Sequence, residues 1–222
     1  MSRMSSITLG LVLSALVAGN AAAQWNVARF NTRPNRVYTA FGLDPALVTT
    51  VGYSRVVRID GQQFQVAAEG GIAGAQLEPR DFRARLQVVT SVMHWRSLHV
   101  TGSATFIARG TENAIYRGFN FGSDFTGTVG VYRSGWFMAG EFGFDKAIIT
   151  HVTHSDWYRT HVYPDAKDGW YLTGGGTFHY GGTAGVALGP LELAGRFGFL
   201  RTEDFNKLTP PMYASLGVGI GF

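Results

Sequence analysis

The chain has 222 residues, 45% of them hydrophobic and 14% aromatic, with 30 glycines, no cysteine, only 15% charged residues and a net charge of +4. So low a charged fraction is far from the ~25% of soluble domains, and the lack of cysteine excludes a disulfide framework and a cysteine-linked lipid anchor. The positive charge is mild and scattered, with no basic stripe to neutralise phosphates, so nucleic-acid binding finds no support.

Residues 1–23 read as a secretory signal peptide. Arg3 supplies the positive region, Ile7 to Ala18 the apolar stretch, and Ala21-Ala22-Ala23 a small-residue cleavage site before Gln24. The apolar stretch is too short to anchor as a spanning helix. The expectation is an exported chain with one domain, 24–222. Beyond the signal no apolar run approaches the ~18 residues of a membrane helix.

From about residue 36 the hydrophobicity has a period of two, which is strand alternation. "RVYTAFGL" (36–43) supplies a first strand that turns through Asp44-Pro45 into 47–58, where Arg55 falls on the outward face and can snorkel at a rim. Within 62–75, Phe64, Val66 and Ile72 oppose Gln65, Ala67 and Glu69. Within 81–93, Phe82, Leu86 and Val88 oppose Arg83, Arg85 and Gln87. Segments 98–109 and 125–132 set Leu98, Phe106, Phe125 and Val129 against Thr101, Thr105 and Thr128. In 136–145, Trp136, Met138, Phe142 and Phe144 oppose Ala139, Glu141 and Gly143. Segment 169–188 carries a GGG run at 174–176, which reads as a thin strand beside a bulky neighbour because no helix follows to make a phosphate loop. In 191–200, Leu191, Leu193, Phe197 and Phe199 oppose Glu192, Ala194 and Arg196. These segments and 211–222 make ten strands, or eight if the first segment instead packs inside the barrel.

The face without large apolar residues is poor in Lys and rich in Gly, Thr and Ser, which suits a crowded interior better than the wet face of a soluble sandwich. Connections at 60–61, 94–97, 133–135 and 189–190 are tight, whereas 110–124, 146–168 and 201–210 are long and polar. On the interior face lie Glu69, Arg83, Arg85, Glu141, Glu192 and Arg196. Charges of both signs in a narrow lumen either pair into a plug or line a selective pore.

The stretch "THVTHSDWYRTHVYPD" (150–165) gathers His151, His154 and His161 with Ser155, Asp156 and Asp165. A base, a carboxylate and a hydroxyl invite a hydrolase reading, and a histidine cluster invites zinc or copper. A strand through 154 would send His151 and His154 to opposite faces. The ordinary reading is therefore an exposed loop, with His151, His154, Asp156 and His161 as possible ligand contacts and no catalytic residue, metal or cofactor expected. Trp157, Tyr158, Tyr163 and Trp170 there could be girdle residues or a surface for lipopolysaccharide or a partner.

The chain ends "YASLGVGIGF", with Ala214, Leu216, Val218, Ile220 and Phe222 alternating with small residues. In this tail, and along the whole chain after residue 23, it resembles small bacterial outer-membrane β-barrel proteins. The resemblance implies an all-β, antiparallel up-and-down transmembrane barrel in the bacterial outer membrane, in contact with its lipid and lipopolysaccharide. It also implies insertion machinery that reads Phe222, Ile220 and Val218. Being architectural, it leaves the role open. The expected role is structural or surface-interacting, without enzymatic activity; the alternatives are a narrow channel for solutes or ions and an outer-rim hydrolase.

Overall fold

The computed structural model describes residues 25–44, 46–73 and 80–222, so the signal-peptide expectation and the turn at Pro45 lie outside the described residues. The elements in order are β1 (Asn35–Asp44), β2 (Ala46–Ile59), β3 (Gln62–Ala73), β4 (Phe82–Trp95), β5 (Leu98–Glu112), β6 (Tyr116–Arg133) and β7 (Trp136–His154). A short helix α1 (Asp156–His161) follows, then β8 (Gly169–Leu172), β9 (Thr177–Leu188), β10 (Leu191–Thr202) and β11 (Lys207–Gly221). Ahead of β1 lies a single 3-10 turn, Val27–Arg29.

Every neighbouring pair is antiparallel, and β1 through β7 with β9, β10 and β11 close into a ten-stranded ring. The seam joins the two ends of the chain: β1 pairs β11 from Arg36 opposite Gly221 to Leu43 opposite Ala214. Asn35 and Phe222 complete it by exchanging both backbone hydrogen bonds at 2.9 Å. Ten strands are thus present, and the first segment is a wall strand rather than the internal packing of an eight-stranded barrel. The terminal phenylalanine occupies the last rung that leaves no open edge, as a barrel in lipid requires.

Side chains follow the period-two pattern. Leu86, Phe106, Phe125, Val129, Met138, Phe142, Phe197 and Leu216 stand exposed outside, as do Phe222, Ile220 and Val218, while Glu69, Arg85, Glu141, Glu192 and Arg196 are buried inside. Arg55 is exposed on the outer face.

The long loops are shorter than expected. Most of 110–124 is wall: β5 runs to Glu112, β6 begins at Tyr116, and only 113–115 connect them. Likewise β7 continues through 146–154, and 203–206 is all that separates β10 from β11. The 18 and 19 residues of β6 and β7 exceed the ~10 that cross a bilayer, so these strands stand above the rest of the rim as a ridge. Their residues look loop-like because Gly, Asn and charged residues surround Phe119 and Phe121, and because a bulge at Ile148 interrupts the period of two.

The 174–176 run is also corrected. It is a break, not a thin strand: β8 pairs only β7, and β9 starts after it. Gly175 has φ +86°, a conformation that favours glycine. The bulky neighbour is real, since a Cβ on Gly176 would lie 2.2 Å from the Phe144 ring.

Candidate functional site

The lumen repeats one device, in which a long side chain lies across one or two glycines to reach a carboxylate on the strand beyond. Tyr38 on β1 faces Gly52 on β2, which faces Glu69 on β3. A Cβ on Gly52 would sit 2.4 Å from Tyr38 Cζ, so the bare backbone lets the ring lie flat and its hydroxyl donate to Glu69 Oε1 at 2.7 Å. The other carboxylate oxygen meets Arg85 Nε at 3.0 Å.

On the opposite wall the same arrangement spans four strands. Tyr213 on β11 faces Gly198 on β10, which faces Gly181 on β9, which faces Glu141 on β7. A Cβ on Gly198 would come 2.4 Å from the Tyr213 hydroxyl. That hydroxyl donates to Glu141 Oε1, and Arg196 grips the same carboxylate with Nε at 2.9 Å and Nη2 at 2.6 Å. Such a two-pronged guanidinium–carboxylate contact is the strong form of an ion pair.

A third case lies nearer the loop end. His179 crosses Gly143 and brings Nε2 to 2.7 Å from Asp124 Oδ2, and the Thr126 hydroxyl donates to Asp124 Oδ1 at 2.8 Å. Beside it Arg109 donates to Asp145. Asn120 Nδ2 donates to the Thr150 hydroxyl at 2.8 Å, and that hydroxyl lies 2.8 Å from the hydroxyl of Thr173.

The end with the tight turns is occupied by the segment ahead of β1. Trp25, Asn26, Val27, Arg29 and Phe30 are all buried. Trp25 packs 5.1 Å from Tyr38 and beneath the Arg36 guanidinium, 4.9 Å away. Glu192 is the anchor: it accepts from the Asn26 backbone N–H at 2.8 Å and from Arg36 Nη2 at 2.9 Å, with Arg29 at 3.6 Å. The room left by Gly219 is filled here, since a Cβ on it would meet Trp25 and Arg36 at 3.0 Å.

Of the six luminal charges expected from alternation, Glu69 with Arg85 and Glu141 with Arg196 form direct pairs, and Glu192 is met by Arg36 and Arg29. Arg83 is half-buried in register with Arg109. Their partners were harder to foresee. Asp124 lies in 110–124, whose composition reads as a loop, and Asp145 and Arg109 lie at the ends of expected strands. Tyr38 and Tyr213 read as ordinary aromatics until the register sets each opposite a glycine.

The histidine stretch is pulled apart rather than gathered. A bulge leaves Ile148 unmatched between Ala147 opposite Gly122 and Ile149 opposite Phe121, so the inward parity of β7 changes there. His151 packs edge-on against Trp170, ring centroids 5.0 Å apart. His154 turns to Asp168, which accepts from its backbone N–H at 2.8 Å and lies 3.1 Å from its Nδ1. His161 stacks on Trp157 in α1, and Asp156 opens that helix, where negative charge suits the dipole. Ser155 is the N-cap, accepting from the Tyr158 N–H and donating to the Ala114 carbonyl at 2.7 Å. Among the described residues no group of three or more His, Asp or Glu is placed to hold a metal ion. Asp168 also accepts from Arg159. That bond and the His154 backbone N–H hold its carboxyl below the usual carboxylate range.

No family model matches the chain, and no curated protein matches it. Among solved structures it is similar to LpxR from Salmonella typhimurium, with a TM-score of 0.37 and 10% identity over 93% of this chain and 80% of that one. So distant a likeness carries no residue role across. It does correct one expectation: LpxR is a lipid A deacylase, so barrel architecture is no ground for expecting a chain without enzymatic activity.

Proposed function

We propose that this chain is an outer-membrane β-barrel with a surface-interaction role, a rigid anchor that holds the ridge of β6, β7, α1 and β8 outside the cell. The observation that carries the reading is an apolar belt around a lumen crossed by buried paired charges. Large apolar side chains on the outer face suit lipid, with Trp95 and Trp136 near the rim at the tight turns. A conduit would need the buried rungs at Glu69, Glu141 and Glu192 to part, and breaking such a pair exposes an uncompensated charge. The ridge, by contrast, presents Trp157, Val162, Tyr163 and Trp170 to solvent. In this reading the tight turns face the periplasm, and Phe222, Ile220 and Val218 are the tail that insertion machinery reads.

The lack of cysteine makes orientation directly testable. Asp165→Cys and Ser134→Cys sit at opposite ends of the barrel. In intact cells a membrane-impermeant maleimide labels position 165 and spares position 134 until the outer membrane is opened. Labelling of 134 alone, or of both, would refute the orientation or the location.

A further inference from the structure

The cations inside the barrel have carboxylates; three arginines at the mouth beside the tight turns do not. Between the segment ahead of β1 and the turns β2–β3, β4–β5 and β6–β7 lies an open cleft of ≈ 770 Å³. Arg58, Arg96, Arg133, His94 and His99 line it, with Gln62 adding an amide, and no Asp or Glu is among its lining residues. Among the described residues Arg58, Arg96 and Arg133 form no ion pair, whereas Arg36, Arg85, Arg109 and Arg196 inside the barrel each do. The chain thus collects three permanent positive charges and two imidazoles at one mouth, with no carboxylate among the residues that line it.

The cationic groups are also held in place. Arg96 lies over Trp95 at 5.3 Å and Arg133 over Trp136 at 5.7 Å. Stacking holds a guanidinium by its face and leaves its N–H edge for hydrogen bonds. Arg58 is tied to Asn31 of the plugging segment. His94 and His99 stack at 5.6 Å, and Ser91 Oγ lies 3.1 Å from His99 Nδ1. A planar fork of fixed donors suits a tetrahedral oxyanion that accepts from two edges at once.

We propose that this cleft binds a phosphate-bearing anion, with Arg58, Arg96 and Arg133 as its principal donors. The phosphate comes either from a soluble phosphate or from the headgroup of a lipid beside Trp95 and Trp136, since both present the same oxygens to the cleft. The site is independent of the surface-interaction reading and survives its failure.

The test uses the folded full chain in uncharged detergent. Inorganic phosphate is titrated by calorimetry, and retention of phosphatidylglycerol against phosphatidylcholine is read by native mass spectrometry. Expected is saturable binding of phosphate, of phosphatidylglycerol, or of both, weakened at least about tenfold in R58Q/R96Q/R133Q, the scale of losing hydrogen bonds to a charged group. Phosphate alone identifies a soluble source and phosphatidylglycerol alone a headgroup. Failure of the folded wild type to bind either, or equal binding by the folded triple variant, would overturn the proposal. Should the triple variant not fold, R96Q, altered at an exposed turn residue, must itself weaken binding several-fold, and unchanged binding there would overturn it too.

Discussion

At the scale of single residues, the lumen turns on carboxylates that the protein itself neutralises. Glu141 shows the balance: it is buried, gripped by Arg196 and bonded by Tyr213. Arg196→Met strands that carboxylate and is expected to cost about 3–5 kcal/mol of stability. Adding Glu141→Met should recover much of the loss, because a buried pair replaced by apolar groups is often near neutral. Urea unfolding in detergent checks both, and a double variant no better than the single would show that the pair's charge is not the issue. Asp168 is the exposed counterpart. Its carboxyl is held below the usual range, first by Arg159 and then by the His154 N–H. A depressed carboxyl stabilises the folded state above its unfolded value and loses that contribution as pH falls through its folded value. Protection of the 155–168 segment from protease should therefore hold from neutral pH down through the ordinary carboxylate range and fail only in stronger acid. Asp168→Asn should loosen the segment at every pH at which the carboxylate is ionised; unchanged protection in that variant at neutral pH would contradict the assignment.

At the scale of elements, the inward glycines are seats rather than gaps. Alternation in the sequence makes the interior face legible as Gly-rich and crowded. It does not say that Tyr38 lies over Gly52 or Tyr213 over Gly198, because that depends on cross-strand register. Gly198→Val puts a Cβ 2.4 Å from the Tyr213 hydroxyl and 2.4 Å from the Tyr180 carbonyl oxygen, so it should displace the ring and break the Tyr213–Glu141 bond. The expected loss exceeds the ~1 kcal/mol spread of strand propensity, and a Tyr213→Phe background should reduce it; a loss within that spread would contradict the seating. The ridge was illegible for a related reason. Residues 110–124 surround Phe119 and Phe121 with Gly, Asn and charged residues, and 146–154 carry a bulge at Ile148, so neither composition nor an unbroken period two marks them as strand. The same bulge decides the fate of the histidines, since parity counted from Glu141 gives the wrong face beyond it.

At the scale of the whole molecule, the even strand number, the closing Phe222 and the outward apolar residues could all be read from the chain: an all-antiparallel ring closes only with an even count, its last strand must reach the first, and alternation turns the large apolar side chains outward. The plug could not. Residues 25–34 have no alternation to place them, yet Trp25 and Asn26 are among the most buried residues described. Glu192 explains it, drawing a backbone N–H and two arginines to one carboxylate. Together with the rungs at Glu69 and Glu141, this supports the proposed reading of the lumen as a packed interior. The direct test is single-channel conductance of the folded chain in a planar bilayer, with folding verified by a gel-mobility difference before and after boiling. A silent bilayer is the predicted result; discrete, reproducible openings by the verified folded chain would contradict the sealed lumen.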